Sequence, residues 1–476
     1  MKAIVPENFN LEEHLDQYPP NFYGISNFNR DHGLYCLSQI IIAPAQDHEL
    51  LDNMDITKNF TPLYSNRLQE YVHSYRQYID YFISTHVIES DNYFIRGTNS
   101  DKAKSYGYRF TFKFSSAEIK TVDYSKNFVN ILKKKDKNKF TELKPNYGHL
   151  LRDLWPVCSL SIDHQSALKE AERKRTMLLL HPELREKKYN KRKHTIEVKN
   201  PITQYNCNKV NIISLSIGHT HFSVDDKGQR LHTALTNMSS QNRKFITYKG
   251  NYLTSIDIKN SQPYFITALF KKEIYIDDKK TINLYKINKD LYSTVESVLF
   301  PDGLMSSDDF FGKFTNHDVI QYKSLVSGVD DNPSDLYLYM KDEFKKMGID
   351  YNSRDEVKQV VIEILYTANQ YSTKSKKCFQ TLFPTVDALL RQFKQTQKEV
   401  LPCLLQCIES YMVLQVITKR FAKQHPKAPI FTIHDSVATT EPFVKPLQTI
   451  MYEELMAFTG LPPKLKLERW HPDKFE

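Results

Sequence analysis

A chain of 476 residues with 40% hydrophobic content is long enough for two or three domains with buried cores. Its 65 Lys and Arg outnumber its 56 Asp and Glu, for a formal charge of +9, and the excess gathers in runs, which suits a polyanionic partner without bearing on fold. Six cysteines without C-x-x-C spacing argue against a disulfide framework or structural zinc, and Cys403 and Cys407, one helical turn apart, read as core packing. The opening MKAIVPENFNLEEHLDQYPP carries acidic residues where a secretory apolar region would stand. No apolar run approaches the roughly 18 residues of a membrane span, so the expectation is a soluble, cytoplasmic protein with no membrane partner.

In chain order, residues 1–125 read as an N-terminal α+β domain of unassigned role. Apolar positions recur at helical spacing from Tyr64 to Ile88, YRFTFKF (Tyr108 to Phe114) reads as a strand, and no catalytic motif stands out. Residues 126–200 read as a basic helical segment. Leu132 to Phe140 (LKKKDKNKF) and Leu168 to His194 carry its densest positive charge, as suited to solvated helix faces as to tracking phosphates. The 29 Tyr and 28 Phe interleave with such residues as base stacking would need, though half-burial accounts for most of them. Near residue 200 the texture turns β-branched, Val210 to Ile217 (VNIISLSI) reads as a strand, and residues 201–476 form the third expected domain.

Three motifs in that last stretch carry chemistry. In YLTSIDIKNSQPYFITALF (Tyr252 to Phe270) a β-branched strand ends at Asp257, then a polar turn leads through Pro263 into an apolar helix. A strand-end carboxylate presents a metal ligand to a cleft or, equally, caps the next element. In RDEVKQVVIEILY (Arg354 to Tyr366) a helix sets Arg354, Lys358, Ile362 and Tyr366 along one flank, with Val357, Val360, Val361 and Ile364 as an anchoring stripe. Such a cationic flank suits a triphosphate or is simply a solvated surface. In PIFTIHDSVATTE (Pro429 to Glu441) two apolar arms read as a hairpin with His434, Asp435 and Ser436 at its tip. Two aspartates from different strands are the minimum protein contribution to a two-magnesium phosphoryl-transfer site.

Together, in this order, the motifs resemble those of the family A DNA polymerases of the bacterial polymerase I type and their relatives, the phage-type single-subunit RNA polymerases. Asp257 matches the motif A aspartate, Arg354, Lys358 and Tyr366 match motif B of the fingers helix, and His434 and Asp435 match motif C. KGQRLHTALTN (Lys227 to Asn237) resembles the Gly-Arg-Leu segment whose arginine, here Arg230, contacts the primer-template duplex. The resemblance spans roughly residues 225–445.

That resemblance implies an α+β, right-hand polymerase with an antiparallel palm sheet, helical fingers at about 270–400, and a thumb. It implies two Mg2+ ions on Asp257 and Asp435, about 4 Å apart, with Mn2+ as a substitute. Lys358 would lie against the phosphates and protonate the leaving pyrophosphate, Arg354 would neutralise the terminal phosphate, and Tyr366 would pack near the nascent base pair. His434 would contact the primer backbone, and Gln406 or Glu409, on the helix Leu404 to Phe421, would reach the duplex. The partners implied are a DNA or RNA primer-template and nucleoside triphosphates.

This sequence also departs from the pattern. Thr367 replaces the glycine after the motif B tyrosine, and Ser436 replaces the glutamate common after the motif C aspartate. Gln262 stands where a glutamate excludes a 2′-hydroxyl, which leaves sugar choice open. The interval from Arg354 to Asp435 is short, implying reduced fingers, and no acidic pattern resembles a proofreading exonuclease. The expected activity is primer extension by a DNA-dependent DNA polymerase, serving a mobile element or plasmid. Three alternatives stay open: an RNA polymerase or primase of the same fold, a template-independent nucleotidyl transferase, and a non-catalytic nucleic-acid-binding replication protein.

Overall fold

The computed structural model describes residues 1–46, 60–95, 105–115, 117–185, 187–190, 195–198, 200–218, 221–300, 308–328 and 335–473. The basic stretch Leu168 to His194 therefore lies partly outside the described residues. The chain divides into two compact units, one formed by residues 1–221, 233–251 and 471–476, the other by 222–232 and 252–470. Both mix helices with antiparallel strand pairs.

In the first unit the edge strands Lys2–Pro6 and Ile119–Asp123 pair antiparallel. Thr61–Pro62, Gly107–Phe110 and Ile88–Ser90 make a small second sheet. An aromatic core gathers around them, with Tyr35, Tyr78, Tyr81, Phe82, Tyr108 and Phe110 all buried. Helix starts follow their capping chemistry. Ser125 accepts from the Phe128 amide ahead of Lys126–Leu151, and Asp163 accepts from the Ser166 amide ahead of His164–Leu180.

Three sequence expectations in this unit are corrected. Val210 to Ile217 is not a strand; it completes the helix Pro201–Ser216, with Asn200 as cap and Pro201 in its first turn. Its residues look strand-like because this helix packs against both Arg30–Gln46 and His164–Leu180, so Val210, Ile212, Ile213 and Leu215 are buried around much of its girth. Tyr64 to Ile88 is two helices, Ser65–Tyr71 and Tyr75–Ser84, followed by the strand that begins at Ile88. YRFTFKF stays extended only to Phe110, after which Thr111 donates its hydroxyl to the His86 carbonyl and a helical turn, Phe112–Ser115, follows.

In the second unit four strands form an antiparallel sheet in the order Phe431–Ile433, Ser436–Thr440, Asn251–Ile258, Leu465–Arg469. Leu253 through Ile256 are buried, so this strand is covered on both faces. The helix Val400–Ser410 packs against both Ser261–Ile266 and Arg354–Tyr366. It continues through a π-helical stretch, Tyr411–Ile417, into Thr418–Gln424. Over Val400–Gln424 the helix is long and apolar enough to cross a membrane by length and composition, contrary to the reading that no such stretch exists. Two thirds of its most apolar window, 67%, is buried within the protein, the burial of a core helix.

Trp470 closes the sheet's end. It is 2% exposed, its indole N–H donates to Ser255 Oγ at 3.2 Å, and its backbone N–H donates to the Leu253 carbonyl at 2.8 Å. Trp470→Ala is expected to destabilise this unit by about 3–5 kcal/mol, read as a lowered urea midpoint; a loss below about 1 kcal/mol would show that the ring is not part of the core.

Candidate active site

Asp257 sits next to last on its strand, directly opposite Ser436 in the register with Ser436–Thr440. Asp435 is the turn residue just before Ser436, at the end of the strand next to that of Asp257, and the charge of Asp257 acts on it. The hairpin tip is the two-residue turn His434–Asp435, and His434 takes a left-handed backbone, φ 52°, as tight hairpin turns require. Ser436 turns its hydroxyl inward to the Ile433 carbonyl at 3.0 Å. Gln229, with φ 55°, and Asn260, also with φ 55°, are left-handed too. Each non-glycine residue so placed costs about 1–3 kcal/mol and persists where surroundings impose it, often at functional sites.

Burial, then the charge of Glu409, then that of Asp257 push the Asp435 carboxyl well above the usual carboxylate range. Asp257 is raised as well, by burial against the opposing pull of Lys358. Two crowded carboxylates of this kind suit a hard divalent cation. No group of three His, Cys, Asp or Glu side chains able to hold a metal occurs among the described residues. Two carboxylates are a donor set that Mg2+ can use, since it is usually bound by one or two carboxylates with waters and substrate phosphates as its other ligands.

The helix Arg354–Tyr366 starts where Ser353 accepts from the Glu356 amide, and Glu356 turns back to the Asn352 amide at 2.7 Å. Val357, Val361, Ile364 and Leu365 anchor it, and Lys358 is left exposed with its charge acting on both aspartates. Arg354 engages Asp335 through Nε at 2.8 Å and through Nη2, with its guanidinium 5.0 Å from the Tyr337 ring centroid. Asp335 is itself the cap of Leu336–Lys346. At the helix end the Tyr366 hydroxyl donates to Gln262 Oε1. Burial and the charge of Glu409 push that phenol up to about 12.

Arg230 stands in a hairpin of Phe222–Val224 and Leu231–Thr233. Asp225 organises the turn, accepting from the amides of Lys227, Gly228 and Arg230 and facing His232 Nε2 at 3.2 Å. A Cβ at Gly228 would come within 2.8 Å of Gln406 Oε1, so glycine lets the turn close on the helix carrying Gln406. Burial favours a raised Asp225, yet the His232 hydrogen bond and the Gly228 and Arg230 amides outweigh it and hold the carboxyl at about 2. A depressed carboxyl contributes stability above its unfolded value of about 3.9, and that contribution is lost as pH falls through the folded value. Asp225→Asn is therefore expected to lower the urea midpoint at pH 7 and to converge with wild type near pH 2; a pH-independent difference would contradict this.

Glu409 differs from its expected place. Instead of reaching out to a duplex it is 2% exposed, its Oε1 accepting from Arg230 Nη2 at 2.6 Å and its Oε2 accepting from the Ser261 hydroxyl. Arg230 Nε, and both side-chain polar atoms of Asn260, are buried without a hydrogen-bonding partner among the described residues. The structure thus brings Asp257, Asp435, Lys358, Glu409 and Arg230 into one electrostatic neighbourhood, with Gln262 and Tyr366 bonded together beside it. His434 faces the ring of His232 at 6.0 Å. Arg354 is directed to Asp335, a partner that sequence reading missed, as it missed Ser261 and Asp225.

No protein-family model matches the chain, and no curated protein matches it. Among solved structures it is similar to the polymerase domain of Pol1 from M. smegmatis, in complex with DNA primer-template and dNTP. The TM-score is 0.30 at 11% identity, over 66% of this chain and 67% of that chain, a likeness too slight to carry the assignment.

Proposed function

We propose that this chain is a template-directed nucleotidyltransferase that extends a primer, a DNA-dependent DNA polymerase. The observation that carries the reading is Asp257 near the end of one strand and Asp435 in the turn that begins the neighbouring strand, with the charge of Lys358 acting on both. In this reading the sheet bearing the aspartates is the palm, and the helices of about 270–400 are the fingers. The basic helices Lys126–Leu151 and His164–Leu180 supply phosphate contacts.

Asp257 and Asp435 would hold Mg2+, or Mn2+ in its place, and the bound cations supply activation of the primer hydroxyl and charge neutralisation at the transferred phosphoryl. Lys358, exposed beside them, donates a proton toward the leaving pyrophosphate. Arg354 keeps three of its five donors for a phosphate while Asp335 fixes its fork. Arg230, its side chain partly exposed and its Nη2 held by Glu409, contacts the primer. Tyr366 holds Gln262, which fixes the amide against the sugar of the incoming nucleotide. His434 and Gln406 contact the nucleic acid.

Primer extension with dNTPs and with rNTPs, side by side on one primer-template, tests the reading. Extension with dNTPs from the primer is expected. Synthesis with rNTPs only, from unprimed template, would replace it with an RNA polymerase or primase.

A further inference from the structure

Glu409 is a charged residue deep in a helix that the proposed chemistry does not use. It lies on Val400–Ser410, one of the most apolar helices in the protein, where an ionised side chain is costly unless paired. Both of its oxygens are occupied, one by Arg230 and one by Ser261, four residues beyond Asp257. It therefore ties the Arg230 hairpin to the element that leaves the Asp257 strand.

Hydrogen bonding alone does not call for a carboxylate here. A glutamine could accept from Arg230 through its oxygen and donate to Ser261 through its amide. What glutamine lacks is the charge. Arg230 is a permanent cation whose field reaches Asp435, and a fixed cation at that distance opposes any second cation brought to the aspartates. Ser436, neutral and bonded to the Ile433 carbonyl, adds no negative charge to offset it. The buried carboxylate of Glu409 does.

We propose that Glu409 is a positioning residue that neutralises Arg230 beside the Asp257–Asp435 pair, so that the pair keeps its affinity for divalent cations while the arginine stays in place for the primer. This rests on the polymerase reading of the site. Asp257 and Asp435 remain the cation ligands, and Glu409 acts on them through Arg230.

The test is Mn2+ binding to the full chain without nucleic acid, followed by electron paramagnetic resonance, for wild type, Glu409→Gln and Glu409→Gln/Arg230→Gln. Asp257→Asn identifies the signal of this site. Glu409→Gln is expected to weaken Mn2+ binding by about tenfold, and the double variant to recover to within about threefold of wild type. In primer extension, the Mg2+ concentration giving half-maximal rate rises by a similar factor in Glu409→Gln while the saturating rate changes far less. A structural role would lower the melting temperature and the saturating rate without this selective shift. Unchanged Mn2+ affinity in Glu409→Gln, or no recovery in the double variant, overturns the proposal. Wild type that binds Mn2+ at Asp257 yet extends no primer overturns the polymerase reading and leaves the role of Glu409 standing.

Discussion

Asp257→Asn and Asp435→Asn are each expected to reduce nucleotide incorporation by about 1000-fold or more while the protein stays folded. Under the polymerase proposal, loss of one charged oxygen from a two-carboxylate set removes a group that would hold the cation, and no group of three His, Cys, Asp or Glu side chains among the described residues is placed to substitute. Stability should move the other way. Both carboxyls are raised by burial and by neighbouring charge, so at neutral pH their ionised forms cost the folded state free energy. The asparagine variants should melt at the wild-type temperature or above it, the trade expected where a site is shaped for function. The same sign governs pH. Because the raised pair must be ionised to take up a cation, Mn2+ uptake by the metal-free protein should weaken on acidification at a pH above the usual carboxylate value of about 4. Full activity in either asparagine variant would remove the basis of the site.

Lys358→Ala is expected to lower the saturating rate by about 100-fold with little change in stability, since the side chain is exposed and forms no ion pair among the described residues. Arg354→Ala should instead raise KM for the nucleoside triphosphate by about tenfold. Arg354→Lys should recover little of that loss, because an ammonium cannot span Asp335 and a phosphate as the guanidinium fork does. Steady-state kinetics with a saturating primer-template separate the two. Equal effects on KM from both residues would show that they do not divide the triphosphate between them.

The elements that carry these groups were legible in the sequence because each is a local pattern. A β-branched run ending at Asp257, a capped amphipathic helix from Arg354, and two apolar arms around His434 and Asp435 all form where their residues indicate. VNIISLSI was misread because a helix buried between two others has the composition of a strand. The partners that complete the site were hidden by distance along the chain. Arg230 meets Glu409 across 179 positions, and Ser261 meets it across 148; no local periodicity encodes such meetings. Glu409 reads from the sequence as a side chain reaching for a duplex, whereas burial makes it the acceptor for Arg230 and Ser261. The compact units were equally unreadable, since residues 222–232 enter the second unit before 233–251 return to the first.

Under the polymerase proposal, nucleotide transfer at Asp257 and Asp435 takes its instruction from a template. Incorporation of single nucleotides onto a primer annealed to homopolymer templates, with the complementary nucleotide and each non-complementary one in turn, tests it most directly. The expected result is extension with the complementary nucleotide alone, lost in Asp257→Asn and Asp435→Asn. Extension at equal rates with every nucleotide, or on the unpaired primer, would contradict it and point to a template-independent transferase.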